Sequence, residues 1–435
     1  MPLPGTGSLQ ANRRPAEAAQ IFGNLSIMGT GLMPVVQSLP VFDPLPTVHS
    51  LHQFGQSRAN LRLTGIGRFL TVMLLVPVLL LLAACGRQSE NWDQFGGDDR
   101  NSGFTVNTFG STEPTLKWRF RTDGDDSVDS GPAIVNGIVY IGGNDHYMYA
   151  LDLDTGAKLW RFKAAHHIQT TPTVVDNAVF FGDRRGHFYA LDAATGEQKW
   201  RFRSSAAITS SPKVIEGTVY FGGYDSRFFA LDSSTGELIW SFTTGAPVAS
   251  SPAVSGDRVV FGSWDHHVYA LNRITGEELW RFKTGNLVSG SPAIADNRVF
   301  IGGWDKKLYA LDLKSGDELW AFQTDTLVAS SPAISGDKVI FGGYDMHVYA
   351  LHTQTGNKIW KQQVEGPVVA SPIISNLSVL VPSFRERFYA LHLETGEVKW
   401  KFRTERHRGQ IASNPGIADG VIVFGSRDNH VYALK

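Results

Sequence analysis

"GSWDHHVYALNRITGEELWRF" (262–282) has a near twin forty residues to either side: "GGYDSRFFALDSSTGELIWSF" at 222–242 and "GGWDKKLYALDLKSGDELWAF" at 302–322. Working outward, three landmarks recur, each eight times. An aromatic-Ala-Leu triplet begins at Tyr149, Tyr189, Phe229, Tyr269, Tyr309, Tyr349, Tyr389 and Tyr432. A proline follows a small or polar residue at Pro132, Pro172, Pro212, Pro252, Pro292, Pro332, Pro372 and Pro415. A tryptophan closes a short run at Trp118, Trp160, Trp200, Trp240, Trp280, Trp320, Trp360 and Trp400. A fixed period of this length marks a repeat architecture.

One copy parses into four strands, "SSPAVS", "RVVFGS", "HHVYALN" and "EELWRFKT", rich in β-branched and aromatic residues and separated by turn residues. The second and third strands are apolar at both parities, so both of their faces must be buried. Small sheets stacked face to face around an axis meet that demand, and the expected fold is an all-β, eight-bladed β-propeller of four-stranded antiparallel blades. The early proline places the first strand at the inner edge, where its missing N–H meets no partner. The Thr/Ser-Gly pair between the third and fourth strands supplies a hairpin glycine able to take positive φ. "TLKWRFR" at 115–121 is a fourth strand without its first three, and the chain stops at "HVYALK", three strands without a fourth. These fragments are expected to join in one blade, closing the ring and removing its exposed edges.

Ahead of the repeats, Phe69 to Ala84 is an uncharged apolar run preceded by Arg62 and Arg68 and followed by Cys85, the single cysteine. This is the layout of a secretory signal, and Leu82-Ala83-Ala84-Cys85 resembles the bacterial lipobox, which implies lipidation at Cys85. The expected organisation is a leader or mis-assigned start at 1–60, a signal peptide at 61–84, a lipid-anchored linker and lead-in at 85–114, and the propeller at 115–435. That makes the protein extracytoplasmic and tethered to the outer leaflet of the plasma membrane or to the outer membrane. One cysteine excludes a disulfide framework. Forty basic against 41 acidic residues, a formal net charge of -1, argue against nucleic acid as partner.

The unit "YALD-xx-TG-xxx-W" resembles the repeat of pyrroloquinoline-quinone (PQQ) propellers, and "NWDQFGGDDRNSGF" at 91–104 is similar to the lead-in that often precedes them. With the lipobox, the whole resembles outer-membrane assembly lipoproteins of the BamB type, which are eight-bladed and non-enzymatic. The resemblance implies that Trp118, Trp160, Trp200, Trp240, Trp280, Trp320, Trp360 and Trp400 dock blade against blade, as their large apolar area also demands. Quinoprotein dehydrogenases share the propeller, holding PQQ against calcium with a catalytic aspartate and often adding adjacent cysteines. One cysteine cannot form that pair, and triplet spacings of 40 or 43 residues leave no long insertion to build a deep pocket. "DGDDSVD" (123–129) lacks the order of an EF-hand calcium loop, and no G-x-S-x-G, H-E-x-x-H or P-loop occurs. His166-His167 and His266-His267 are adjacent pairs, and neighbours on a strand point to opposite faces. No catalytic residue, metal or cofactor is therefore expected, and a PQQ-dependent oxidoreductase or a ligand-sensing propeller is the alternative.

Departures from the repeat are free to serve function. The loops from fourth to first strand and the hairpins from second to third emerge on one end of the ring. There, five consecutive hairpins carry an aromatic, Tyr224, Trp264, Trp304, Tyr344 and Phe384, where the others have Asn144, Arg184 and Arg427. The aspartate that follows becomes Arg185 and Arg385 in two blades. Asp123, Asp125, Asp126, Asp129, His166 and His167 lie in neighbouring loops, and Arg403, Arg406, His407 and Arg408 lie in the loop that carries a three-residue insertion. Exposed aromatics with arginine are the material of protein-binding hot spots. The expected function is a non-catalytic scaffold for other envelope proteins, with Tyr224, Trp264, Trp304, Tyr344, Phe384, Arg184, Arg185, Arg385, Arg406 and Arg408 as partner-binding candidates. The competing reading has the aromatics packing on neighbouring hairpins and each aspartate capping its own turn.

Overall fold

Valines and aromatics at both parities of the two middle strands leave them no solvent face, and the structure buries both. In strand Arg258–Gly262 the side chains of Val259, Val260 and Phe261 are fully buried, as are Val268, Ala270 and Leu271 in His267–Asn272. The fourth strand, Glu278–Lys283, alternates instead and shows one side to solvent. In this computed structural model, residues 91–106, 109, 113–124, 126–404 and 409–435 are described. Cys85, the segments 1–60 and 61–84, and Arg406 and Arg408 lie outside them.

Eight antiparallel sheets form, one per repeat: blades 1 to 7 at 133–163, 173–203, 213–243, 253–283, 293–323, 333–363 and 373–403, and blade 8 from both ends of the chain. In blade 8, Leu116–Arg121 pairs with His430–Leu434, Trp118 lying opposite Ala433 and Arg119 opposite Tyr432. Thr115 and Lys435 exchange backbone hydrogen bonds of 2.8 and 2.9 Å. The ring is closed as the terminal fragments require.

The core sits between blades. Phe228 of blade 3 stacks on Phe261 of blade 4 at 4.1 Å and 2°, and Phe188 stacks likewise on Phe221 at 4.1 Å. A β-bulge one residue before each tryptophan turns its ring toward the next blade. There the indole N–H donates to a carbonyl in the next blade's 3–4 turn: Trp240 to Arg273 at 3.2 Å, Trp280 to Leu313 at 2.9 Å, and Trp118 across the seam to Leu153 at 2.8 Å. The glycine of that same turn lies under the ring. Gly276 has φ +74°, and a Cβ on it would come within 2.7 Å of Trp240. The tryptophan and the Thr/Ser-Gly pair are thus two halves of one joint, which explains why they recur together. Trp400 is the exception, because no 3–4 turn joins His430–Leu434 to Leu116–Arg121 in blade 8. Its Nε1 has no hydrogen-bond partner among the described residues, and Phe109 packs on the ring at 5.7 Å.

Residues 91–105 of the lead-in are part of the fold. They circle the inner edges of the blades and satisfy N–H groups that would otherwise face the channel. Trp92 bridges Ile134 of blade 1, and Val174, Val254, Ile294, Ile334 and Ile374 donate to the carbonyls of Asp93, Asp99, Arg100, Ser102 and Gly103. Phe104–Thr105 then adds a parallel strand to blade 7. In blade 3 the position that is alanine in four other blades is Lys213, fully buried, with Nζ 2.6 Å from the Phe95 carbonyl and also donating to that of Asp98. Burial pushes the Lys213 ammonium down to about 8 against the attraction of Asp98, Asp99 and Asp93. A second ring of bonds explains the residue before each proline. The N–H of Thr171, Ser211, Ser251, Ser291 and Ser331 donates to the hydroxyl of its counterpart one blade on, at 2.9–3.2 Å.

Candidate functional site

The loop-bearing end is built on the hairpin aspartates, and their work is structural. Asp265 accepts from the N–H of His267 at 3.1 Å, closing its own turn. It also accepts from the Tyr269 hydroxyl and from the Gly245 N–H of the preceding loop, both at 2.7 Å. Burial, and then the carboxylate it donates to, push the Tyr269 phenol well above its ordinary 10. Asp305 and Tyr309 repeat the arrangement. Blade 2, with Arg185 in the aspartate slot, uses the buried Asp183 two residues earlier, which accepts from the Tyr189 hydroxyl at 3.1 Å. That substitution releases Arg185 to the surface, and Arg385 of blade 7 is likewise exposed.

The aromatic crescent is uneven. Tyr224 is only 4% exposed and meets Trp264 edge-on at 5.2 Å, so it offers no accessible face. Burial drives its phenol up to about 12. Trp264 and Trp304 are half-buried, the latter donating to the Ser289 hydroxyl at 2.8 Å. Tyr344 is 39% exposed, and Met346 on the same hairpin is 41% exposed, an apolar neighbour that the sequence reading did not single out. Phe384 lies beneath the Arg427 guanidinium at 4.9 Å. Phe384 and Arg385 line a cleft of about 430 Å³ with Glu365, Arg387 and Arg403. Arg385 and Met346 also border a larger groove of about 1250 Å³ between blades 6 and 7, whose walls carry Glu365, Arg387, Lys401 and Arg403.

On the opposite arc most charges are committed within the protein. Asp129 accepts from Arg427 Nε at 2.9 Å and from Asn144 at 3.1 Å, tying blade 8 to the loop before blade 1. Asp123 accepts from Lys158 at 2.6 Å and from Arg161, and against the upward push of burial these two bonds hold it below the ordinary carboxylate range. Arg184, half-buried, anchors its loop by donating its N–H to the His167 carbonyl at 3.0 Å.

The two histidine pairs behave differently. His267 lies on a strand and His266 in the hairpin before it. His166 and His167 lie on a bend, so strand alternation does not apply to them. They meet His146 from the adjacent hairpin, and one nitrogen from each lies within 4.8 Å of the others. The premise that kept this pair from converging therefore fails on the local backbone.

A quinone cofactor would need room and calcium ligands at the ring's axis. The void beside the lead-in, lined by Trp92, Phe95, Asn101, Pro332, Pro372 and Pro415, is about 20 Å³. That is roughly the space of one water, against about 300–1,000 Å³ for small-molecule sites. The nearby carboxylates are already engaged: Asp98 accepts from the N–H groups of Arg100 and Ser102, and Asp99 from Gln94. A void of this size has no room for such a cofactor.

A family model described as outer membrane protein assembly factor BamB matches residues 102–247, 204–326 and 230–435. Among solved structures, BamB from Moraxella catarrhalis is 19% identical with a TM-score of 0.65, covering 74% of this chain and 100% of its own. The computationally designed Ika8 protein is 20% identical (TM-score 0.65, 72% and 98% covered). Quinohemoprotein alcohol dehydrogenase from Comamonas testosteroni is 15% identical (TM-score 0.70, 79% and 80% covered). Likeness at this level carries the fold, and the same fold here spans an assembly factor, a designed protein and an enzyme. No curated protein sequence matches.

Proposed function

The chain belongs to the BamB family of outer membrane protein assembly factors, and from that premise we propose that it is an extracytoplasmic, lipid-anchored, non-catalytic scaffold that engages envelope proteins through the loop-bearing end of its propeller. One observation carries the reading. The repeated tryptophan, glycine, serine and aspartate positions all serve the ring, while the loop end exposes Tyr344 and Met346 and carries exposed Arg185 and Arg385 where the other blades have aspartate, Met346 and Arg385 bordering its clefts. Aromatic and arginine side chains at a cleft are what partner proteins use as anchors.

Anchoring at Cys85 gives this end a direction. Asn91 accepts from the Asn136 N–H at 3.0 Å, in the turn between the first and second strands, at the end opposite the loops. Five residues lie between Cys85 and Asn91, six Cα steps with a reach of at most about 21 Å. A lipidated Cys85 holds the turn end toward the membrane and presents the loop end to the aqueous compartment.

Pull-down with Trp264→Ala/Trp304→Ala and with Arg185→Ala/Arg385→Ala, each shown to stay folded, tests the surface. The expected result is weakened capture of outer-membrane assembly proteins, and full retention by both variants would refute it. The opposing enzymatic reading is tested by reconstitution with PQQ and calcium, where sustained dye reduction with alcohols would overturn the proposal. Mass spectrometry of the native N-terminus tests the anchor.

A further inference from the structure

We propose that His146, His166 and His167 form a binding site for one late first-row divalent cation of the zinc type, held by three imidazole nitrogens at the loop end between blades 1 and 2. The three residues come from two segments that the backbone fixes against each other. The His146 carbonyl accepts from Ala164 N–H at 2.8 Å, the Gly143 carbonyl from Ile168 N–H at 3.1 Å, and the His167 carbonyl from Arg184 N–H at 3.0 Å. Ring centroids lie 4.4–5.2 Å apart. Zinc–nitrogen bonds of about 2.0–2.1 Å at tetrahedral angles separate ligand nitrogens by about 3.3 Å. The present limit of 4.8 Å closes to that by rotation of half-buried rings.

Two further observations point to a ligand. His166 Nδ1 is buried without a hydrogen-bond partner among the described residues, a lone pair that a metal bond would engage. Asp126 Oδ2 stands 3.9 Å from His167 Nε2, where it can orient that ring or take the fourth position.

The repeats supply internal controls. The positions of His166 and His167 hold Ala206-Ala207, Ala246-Pro247 and Asn286-Leu287 in the next three loops. The hairpin slot of His146, at φ 73°, holds His266 at φ 70° in blade 4, facing Asn286 and Leu287. The backbone therefore demands no histidine at any of the three places, and the three coincide at one. The chemistry is selective in kind: three imidazoles suit zinc, copper or nickel, whereas calcium and magnesium require oxygen ligands.

The test titrates the metal-stripped full chain, without a histidine tag, with Zn²⁺ by calorimetry and with Co²⁺ by visible absorption. The variants are His146→Asn, His166→Asn and His167→Asn, with His266→Asn as the control and far-UV circular dichroism as the check of folding. The expected result is one Zn²⁺ per chain and a tetrahedral-type Co²⁺ spectrum. Each of the three variants should weaken affinity by more than the roughly 10–100-fold that outer-shell changes cause, with His266→Asn matching the wild type. Absence of wild-type binding at 100-fold excess Zn²⁺, or equal binding by the folded His166→Asn and His167→Asn variants, would overturn the site.

Discussion

Replacing Lys213 by methionine should remove a pH dependence that the wild-type ring carries. The ammonium is fully buried and donates to the carbonyls of Phe95 and Asp98, so it locks the lead-in to blade 3 at the expense of desolvation. Its folded value of about 8 lies below the ordinary 10.5. Below pH 8 both native and unfolded states hold the proton, and the burial penalty is fully present. Between 8 and 10.5 the unfolded chain binds more protons than the native one, so stability rises with pH, and above 10.5 the rise ends. A displacement of this size corresponds to about 3 kcal/mol. Methionine matches the length but leaves the Phe95 carbonyl without a donor, at about 1–3 kcal/mol, while the Asp98 carbonyl keeps the Asn101 N–H, so the absolute stability change is a difference of opposing terms. The pH slope is the clean readout. Urea unfolding of both proteins from pH 7.5 to 10.5 should give a wild-type-minus-variant difference that rises by about 3 kcal/mol, the tyrosine phenols cancelling in the subtraction. A difference flat to within about 0.5 kcal/mol would refute the reasoning, because Lys213 would then not be a desolvated cation.

Three further outcomes follow from the blade joints. Trp280→Phe should lose about 1 kcal/mol more than Trp400→Phe in urea unfolding, since Trp280 forfeits its bond to Leu313 and Trp400 has none among the described residues to lose. Gly276→Ala should cost well above the roughly 1–2 kcal/mol of a left-handed backbone alone, because its Cβ would meet Trp240 at 2.7 Å. Gly256→Ala, at φ +59° with nothing within 4 Å, should cost only that backbone term in the same assay. Ser251→Ala should lower stability by about 1–3 kcal/mol, since it leaves the buried Ser211 N–H without its acceptor, and Ser251→Thr should restore most of it.

Periodicity made the ring legible. Each blade repeats the same burial demand, so eight copies with split ends leave closure as the consistent outcome, and the pairing of Trp118 with Ala433 meets it. The tryptophans were legible as docking residues because a large ring on an outer strand has nowhere else to go. Their glycine partners required the three-dimensional joint to be seen as partners. The lead-in and Lys213 were not legible for a different reason. Lys213 Nζ meets Phe95 across 118 positions of chain, a contact that local pattern cannot encode, although a lysine in a slot that is alanine in four other blades was visible as a departure. The candidate face shows the same limit. Tyr224 and Tyr344 occupy equivalent slots, yet one is covered by Trp264 and the other is open. For His166-His167 the strand premise does not hold, because the chain bends there rather than running as a strand.

The most direct test of the scaffold reading places a photo-crosslinking amino acid at Tyr344 on the loop end and, separately, at Ile274, which is 60% exposed in a turn on the opposite end. After irradiation in intact cells, crosslinked products are identified by mass spectrometry. The account predicts crosslinks from position 344 to outer-membrane assembly proteins and none from position 274. Crosslinks to those proteins from 274, with none from 344, would contradict it.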